Sequence, residues 1–176
     1  RERSTRFCRT ETTAALALKL AFPKATNLRV FPFDRILDAV KNREVDVGLV
    51  IHEGQLTFQE MGLVEIFNFG RWWWEKEQLP LPLGGNVLRR KLAPDLKKKI
   101  ARYIKSSIQY GLDHFDEALS HAMTFARDLP QEKVAQFVKM YVNERTVDYG
   151  DEGRRAVTRL LDLASAHGFV PKVETE

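Results

Sequence analysis

The stretch "VDVGLVIHEGQLTF", residues 45–58, decides how this chain reads. Its first half is an almost continuous apolar run, with the length expected of a strand buried in a parallel sheet. The run stops at His52-Glu53, and Gly54 follows. A titratable pair at the carboxyl end of a buried strand stands where open α/β sheets bind their ligands.

Upstream, Asp34 is placed to cap "RILDAVKNRE", an amphipathic helix with Ile36, Leu37 and Val40 on one face. Before it, "NLRVFPF" at 27–33 alternates and predicts a short strand. Earlier still, "AALALKLAF" predicts an apolar helix over 13–22, with a Thr at its start to cap free backbone N–H groups and Pro23 to end it. The order α-β-α-β is the signature of an α/β sheet.

Downstream, "LVEIFNF" at 63–69 predicts a further strand, followed by Gly70 and the cluster Trp72-Trp73-Trp74. The prolines of "LPLPLGGNVLRR" exclude a central strand at its start, Gly84-Gly85 allow a tight bend, and 83–88 is a second strand candidate. Beyond Pro94 the pattern is helical, with helices expected near 95–112, 115–127, 131–143 and 151–167. Pro130 suits a first turn and Gly168 a C′ position. Leu96, Ile100, Tyr103 and Ile104 form one apolar stripe; Val134, Phe137, Val138 and Tyr141 form another; Val157, Leu160, Leu161 and Leu163 belong to a third.

Composition excludes several classes. The chain has 176 residues, 44% hydrophobic and 30% charged, ordinary for a globular protein. The lone Cys8 excludes an internal disulfide framework and gives no zinc signature. No apolar run approaches the roughly 20 residues that span a bilayer. The net charge is +4, with basic residues concentrated in 1–9, in Arg89-Arg90-Lys91 and in Lys97-Lys98-Lys99. Elsewhere both signs interleave, so no nucleic-acid partner is expected. The opening "RERSTRFCRT" has no Met, no apolar signal core and no strand pattern, so 1–11 is expected to be irregular.

Few residues carry chemistry. An imidazole with an unperturbed pKa of about 6.5 suits a general base near neutral pH, which makes His52 the candidate; the alternative is a histidine that caps a strand and bonds a loop. Glu53 is its neighbour on an extended chain and is expected to point away. A metalloprotease is excluded because the second His would fall at Leu56. Thr12-Thr13-Ala14 opens a helix, whose N–H groups hold carboxylates readily, or is an ordinary cap. Gly84-Gly85-Asn86 brings backbone near a ligand or makes a plain turn. Trp72 to Trp74 make a stacking wall or, more in keeping with their type, packing. His114 and His121 share a helical face and read as solvated, and His167 complements a helix end. There is no Walker loop, no G-x-G-x-x-G and no nucleophile elbow.

The segments "TTAALALKL", "FDRILDAVKNREVDVGLVIHEGQLTF", "GLVEIF", "WWEKEQLPLPLGGNVLRR" and "YVNERTVDYGDEGRRAV" come in an order that resembles the 1,4-dihydroxy-6-naphthoate synthases of the futalosine route to menaquinone. The resemblance covers about residues 12–168, and "IHEGQLTF" with "LPLPLGGN" is its most specific part. A sister family, the chorismate dehydratases, shares the fold but lacks the His-Glu pair. The resemblance implies an α/β, type II periplasmic-binding-protein-like two-lobe fold, with residues 12–75 as the second lobe and residues 76–176 as crossover and helical return to the first. It implies a cytoplasmic lyase without metal or organic cofactor that cleaves cyclic dehypoxanthinyl futalosine, with His52 as base and Thr13 and Ala14 on the substrate, and it leaves homo-oligomerisation open. This chain departs from the family pattern in "CRTETTAA", where a turn with Pro and Gly is usual, and in length. The resemblance leads one to expect a further N-terminal segment before these residues, so the ragged start is expected to be a fragment end or a misassigned start. The competing expectations are a non-catalytic solute-binding-like lobe, since a fold does not fix a function, and the related chorismate dehydratase activity.

Overall fold

The computed structural model describes residues 5–7, 12–126 and 129–173. The chain divides into two compact units: Arg1–Gly84 with Glu152–Glu176, and Gly85–Asp151.

The first unit holds a parallel sheet of three short strands, β1 (Thr5–Phe7), β2 (Leu28–Val30) and β3 (Val47–Leu49), in the order β2-β1-β3. Phe7 pairs with Val30 on one side and with Leu49 on the other. β1 lies in the segment expected to be irregular; the correction is that the central strand of the sheet comes from it. Three residues carry too little pattern to read, and β1 is a strand because both flanking strands pair with it in register.

Helix α1 (Thr13–Ala21) follows its expected bounds closely. Thr12 is its N-cap, with Oγ1 accepting from Ala15 N at 3.1 Å. Ala15 and Leu18 form a buried cluster with Leu49, against which Ala14, Leu28 and Phe69 pack. Helix α2 (Ile36–Lys41) is shorter than expected, and Asp34 lies inside the preceding 3-10 turn Phe33–Arg35, so the residue that enters α2 is Arg35, without a side-chain cap bond. α2 buries Ile36, Leu37 and Ala39.

The expected strand at 63–69 is not formed. Residues 63–68 pair with no strand among the described residues, Val64 and Ile66 face solvent, and Phe69 opens α3 (Phe69–Glu77), capped by Asn68, whose Oδ1 accepts from Arg71 N at 3.0 Å. Alternation proposes a strand, but only a partner satisfies its backbone. The candidate at 83–88 is irregular for the same reason. The three tryptophans therefore stand on a helix: Trp73 is fully buried, Trp72 packs on Phe67 and Phe69, and Trp74 is exposed.

The second unit is helical: α4 (Pro94–Asp113), α5 (Phe115–Met123), α6 (Gln131–Tyr141) and the single turn α7 (Glu144–Val147). Pro130 is the N-cap of α6 rather than part of its first turn. Leu119 and Val134 are buried, whereas none of the 20 residues of α4 is. His114 lies at the break between α4 and α5, so it shares no helix face with His121.

Helix α8 (Gly150–Ala166) was expected with the helical return, yet from Glu152 onward it belongs to the sheet-bearing unit. Its buried Ala156, Leu160 and Ala164 explain this, as does Arg159, whose Nε donates to Glu77 Oε2 at 2.7 Å. Gly168 ends α8 in a left-handed conformation, φ 71°; its N–H reaches Ser165 O, and Phe169 N–H reaches Ala164 O. These are the two bonds of a Schellman motif. Among the described residues no helix is long and apolar enough to cross a membrane.

Candidate functional site

In the order β2-β1-β3 the chain moves from β1 out to β2 and then back past β1 to β3. Such a reversal leaves a crevice at the carboxyl ends of the two neighbours β1 and β3, where ligands of open α/β sheets bind. Thr12 and Thr13 follow β1, and His52 follows β3 by three residues. The sheet thus brings both expected site segments to one edge, although they are some forty residues apart in sequence.

At the start of α1, Thr12 Oγ1 and Thr12 O take the N–H groups of Ala15 and Leu16. The N–H groups of Thr13 and Ala14 belong to the first turn, which has no intrahelical acceptors, and the helix dipole adds positive potential there. The Ala14 side chain packs against the buried cluster, so what this residue offers a ligand is its backbone. Thr13 is half-buried and adds a hydroxyl beside those donors.

His52 is half-buried, with an extended backbone (φ −121°, ψ −172°). Its carbonyl accepts from Gln55 N at 3.0 Å and Gln55 Nε2 at 3.3 Å, which tightens the 3-10 turn Glu53–Leu56. The imidazole meets the Phe33 ring edge-on at 5.4 Å, and its Nδ1 is closed off from solvent. Gly54 is buried beneath it: a Cβ there would lie 2.8 Å from His52 Nε2 and 2.8 Å from Leu37 Cδ1. The glycine after the His-Glu pair is therefore the floor on which the imidazole rests. Phe33, which the sequence offered only as the end of a strand, is the further residue of this edge; its position after β2 was the available signal.

The other candidates fall elsewhere. Gly85 is in the helical unit, where a Cβ would lie 2.5 Å from the Tyr149 hydroxyl, so its close approach is to a side chain of the same unit. Trp72 and Trp73 serve packing. His114 stacks on Tyr110 at 4.0 Å, His121 meets Phe125 at 5.4 Å, and both are exposed. Among the described residues no three His, Cys, Asp or Glu side chains are grouped so as to hold a metal ion.

The chain is similar to known proteins in sequence and fold. A family profile described as menaquinone biosynthesis covers residues 5–166. The 1,4-dihydroxy-6-naphtoate synthase of Thermus thermophilus is 41% identical over 137 residues, 78% of this chain and 50% of the relative. That of Streptomyces coelicolor is 35% identical over 142 residues, 81% of this chain and 50% of the relative. The chain spans about half the length of the curated relatives it matches. The crystal structure of protein AF1704 from Archaeoglobus fulgidus superposes with a TM-score of 0.90 at 38% identity, over 96% of this chain and 63% of that one. By the profile and by both relatives, the chain belongs to the menaquinone-biosynthesis family.

Proposed function

We propose that the chain carries the base-bearing part of a 1,4-dihydroxy-6-naphthoate synthase, a carbon–carbon lyase that acts on cyclic dehypoxanthinyl futalosine. The observation that carries this reading is the placing of Thr13 and His52 at the carboxyl ends of neighbouring parallel strands. In this reading the sheet-bearing unit, β1 included, contributes the second lobe of a type II periplasmic-binding-protein-like fold, and the substrate lies on the sheet's carboxyl edge.

The chemistry assigned to each group is simple. The N–H groups of Thr13 and Ala14, with the Thr13 hydroxyl, hold the substrate carboxylate or a sugar oxygen. Neutral His52 takes the proton from a hydroxyl of the sugar-derived part. That oxygen becomes a carbonyl as the adjacent carbon–carbon bond breaks, and the released electron pair enters the ring that becomes the naphthalene diol. Aromatisation makes the step downhill. A positioned base supplies about 10²–10⁴-fold, so orientation of the substrate must supply much of the rest. No metal or organic cofactor is needed for this balance.

One observation favours a second reading, a lobe that binds without catalysis: the imidazole is packed on Phe33 and Gly54, as a structural histidine would be. The test is a chimaera in which this chain replaces the matching half of the Thermus thermophilus relative. His52→Asn should keep product binding and lower turnover by at least about 10²-fold. Near-normal turnover would overturn the assignment of His52 as base.

A further inference from the structure

We propose that Leu37 is a positioning residue for His52: its side chain is the stop against which the imidazole sets, so helix α2 fixes how far the ring projects at the sheet's carboxyl edge. The inference rests on the reading of His52 as the base and names what holds that base in place.

Two glycines seat α2 on the strand that delivers His52. A Cβ on Gly48, in β3, would lie 2.6 Å from Ile36 Cγ2 and 3.0 Å from Val40 Cγ2, so a glycine is what lets the helix lie this close to the strand. Gly54 makes the second notch. A Cβ there would lie 2.8 Å from Leu37 Cδ1, 2.8 Å from His52 Nε2 and 3.2 Å from His52 Cε1. Leu37 Cδ1 and His52 Nε2 share a point 2.8 Å from each, so they are no more than 5.6 Å apart. The ring edge that carries Nε2 and Cε1 faces this notch.

The same stretch of chain meets the imidazole a second time. Phe33 stands four residues before Leu37, in the 3-10 turn that runs directly into α2, and its ring lies 5.4 Å from His52. A spacing of four along helical backbone puts both side chains on one face. Phe33 bounds the ring at its side and Leu37 at its foot, while Ile36 and Val40 keep the helix from receding. Ile36 is fully buried, Leu37 is 9% exposed and Gly54 is buried, all inside the sheet-bearing unit, so surface packed around that unit leaves their contacts in place. A close-packed interior passes a displacement on to its neighbours. Without the Leu37 tip the ring would sink toward the vacated volume and withdraw from the edge. A misplacement of ~1 Å at a reacting group costs up to about 10²-fold.

The test is a volume swap, read in the chimaera with the Thermus thermophilus relative and in NMR spectra of the 176-residue chain. Leu37→Ala should lower kcat about tenfold with KM little changed. The His52 ring resonances should move, while those of His114, in the other unit, stay in place. Leu37→Val, which withdraws only the tip, should lower kcat about threefold and serves where alanine prevents folding. Leu37→Met refills the volume and should restore kcat to within about twofold of the parent. Gly54→Ala lowers kcat by itself, but Leu37→Ala/Gly54→Ala, in which the new methyl supplies the stop, should return kcat to within about threefold of the parent. Losses that simply add in the double variant would overturn the proposal, because two independent destabilisations do not repair each other. Parent-like kcat and unmoved His52 resonances in both Leu37→Ala and Leu37→Val, beside an inactive His52→Asn, would overturn it while leaving the base in place. Near-normal turnover of His52→Asn would remove the base reading and this proposal together.

Discussion

The ring of Phe33 meets the imidazole of His52 edge to face, with centroids 5.4 Å apart and planes at 64°. Phe33 follows β2 and His52 follows β3, the two outer strands of the sheet. Outer strands of a three-stranded sheet are about 10 Å apart, so this contact joins their exit segments beyond the end of the central strand. An edge-to-face pair contributes about 0.5–1.5 kcal/mol beyond its buried area. Phe33→Leu should therefore cost about that much in denaturant unfolding and broaden the His52 ring resonances in NMR spectra; unchanged stability and line widths would show that the contact does not hold the ring.

Gly54→Ala tests the floor beneath the imidazole. The new Cβ would meet His52 Nε2 and Leu37 Cδ1, each at 2.8 Å, in a buried position. Overpacking of this kind costs about 1–3 kcal/mol. The thermal midpoint should fall, and in the chimaera turnover should fall further than stability explains, because His52 must move. A variant with wild-type melting and turnover would show that the ring yields freely.

Thr12 and Thr13 should separate in their effects. Thr12 Oγ1 caps α1, so Thr12→Ala should cost about 1 kcal/mol of stability. Thr13→Val should leave melting nearly unchanged and weaken product binding by about 1–3 kcal/mol, the range for an unmade buried hydrogen bond. Calorimetry that shows equal affinity for wild type and Thr13→Val would reduce Thr13 to a helix residue.

The bond from Arg159 to Glu77 fastens α8 to α3 within the sheet unit. The hydrogen bond to Glu77 raises the Arg159 pKa above its ordinary value, with the opposing desolvation smaller. A raised cationic pKa gives stability that is fully present below the unfolded value and is lost only as pH rises through the folded one. For an arginine both lie beyond the working range, so its side of the pair should contribute evenly from pH 6 to pH 9. Glu77 is 7% exposed and Arg159 47%, so with solvent screening Arg159→Leu should cost about 1 kcal/mol at each pH. A cost that changes steeply across that range would contradict this account.

Trp73 is fully buried, and its Nε1 finds no acceptor among the described residues. A buried donor left unmade costs about 1–3 kcal/mol, which offsets much of what the larger ring gains by packing. Trp73→Phe should therefore change stability by less than about 1.5 kcal/mol, while Trp73→Ala should cost about 3–5 kcal/mol. A large loss for the phenylalanine variant would reveal a bond to the indole N–H.

The sequence by itself determined the features whose hydrogen bonds are local. The Thr12 cap, the run of α1, the positions of α4, α5, α6 and α8 and the glycine stop at Gly168 were all legible, because a helix closes its bonds within four residues and its ends announce themselves in side chains. The arrival of His52 at a strand end was legible too, since the apolar run stops there. Tertiary structure alone decided the strands. Thr5–Phe7 shows no pattern yet is the centre of the sheet, while residues 63–68 alternate and form no strand. The apolar periodicity of α4 was visible, but not that Leu96 and Tyr103 face outward while Ile100 and Ile104 pack. A strand exists only where a distant segment accepts its N–H groups, and a helix face is buried only where another element covers it; neither partner is written in the segment itself.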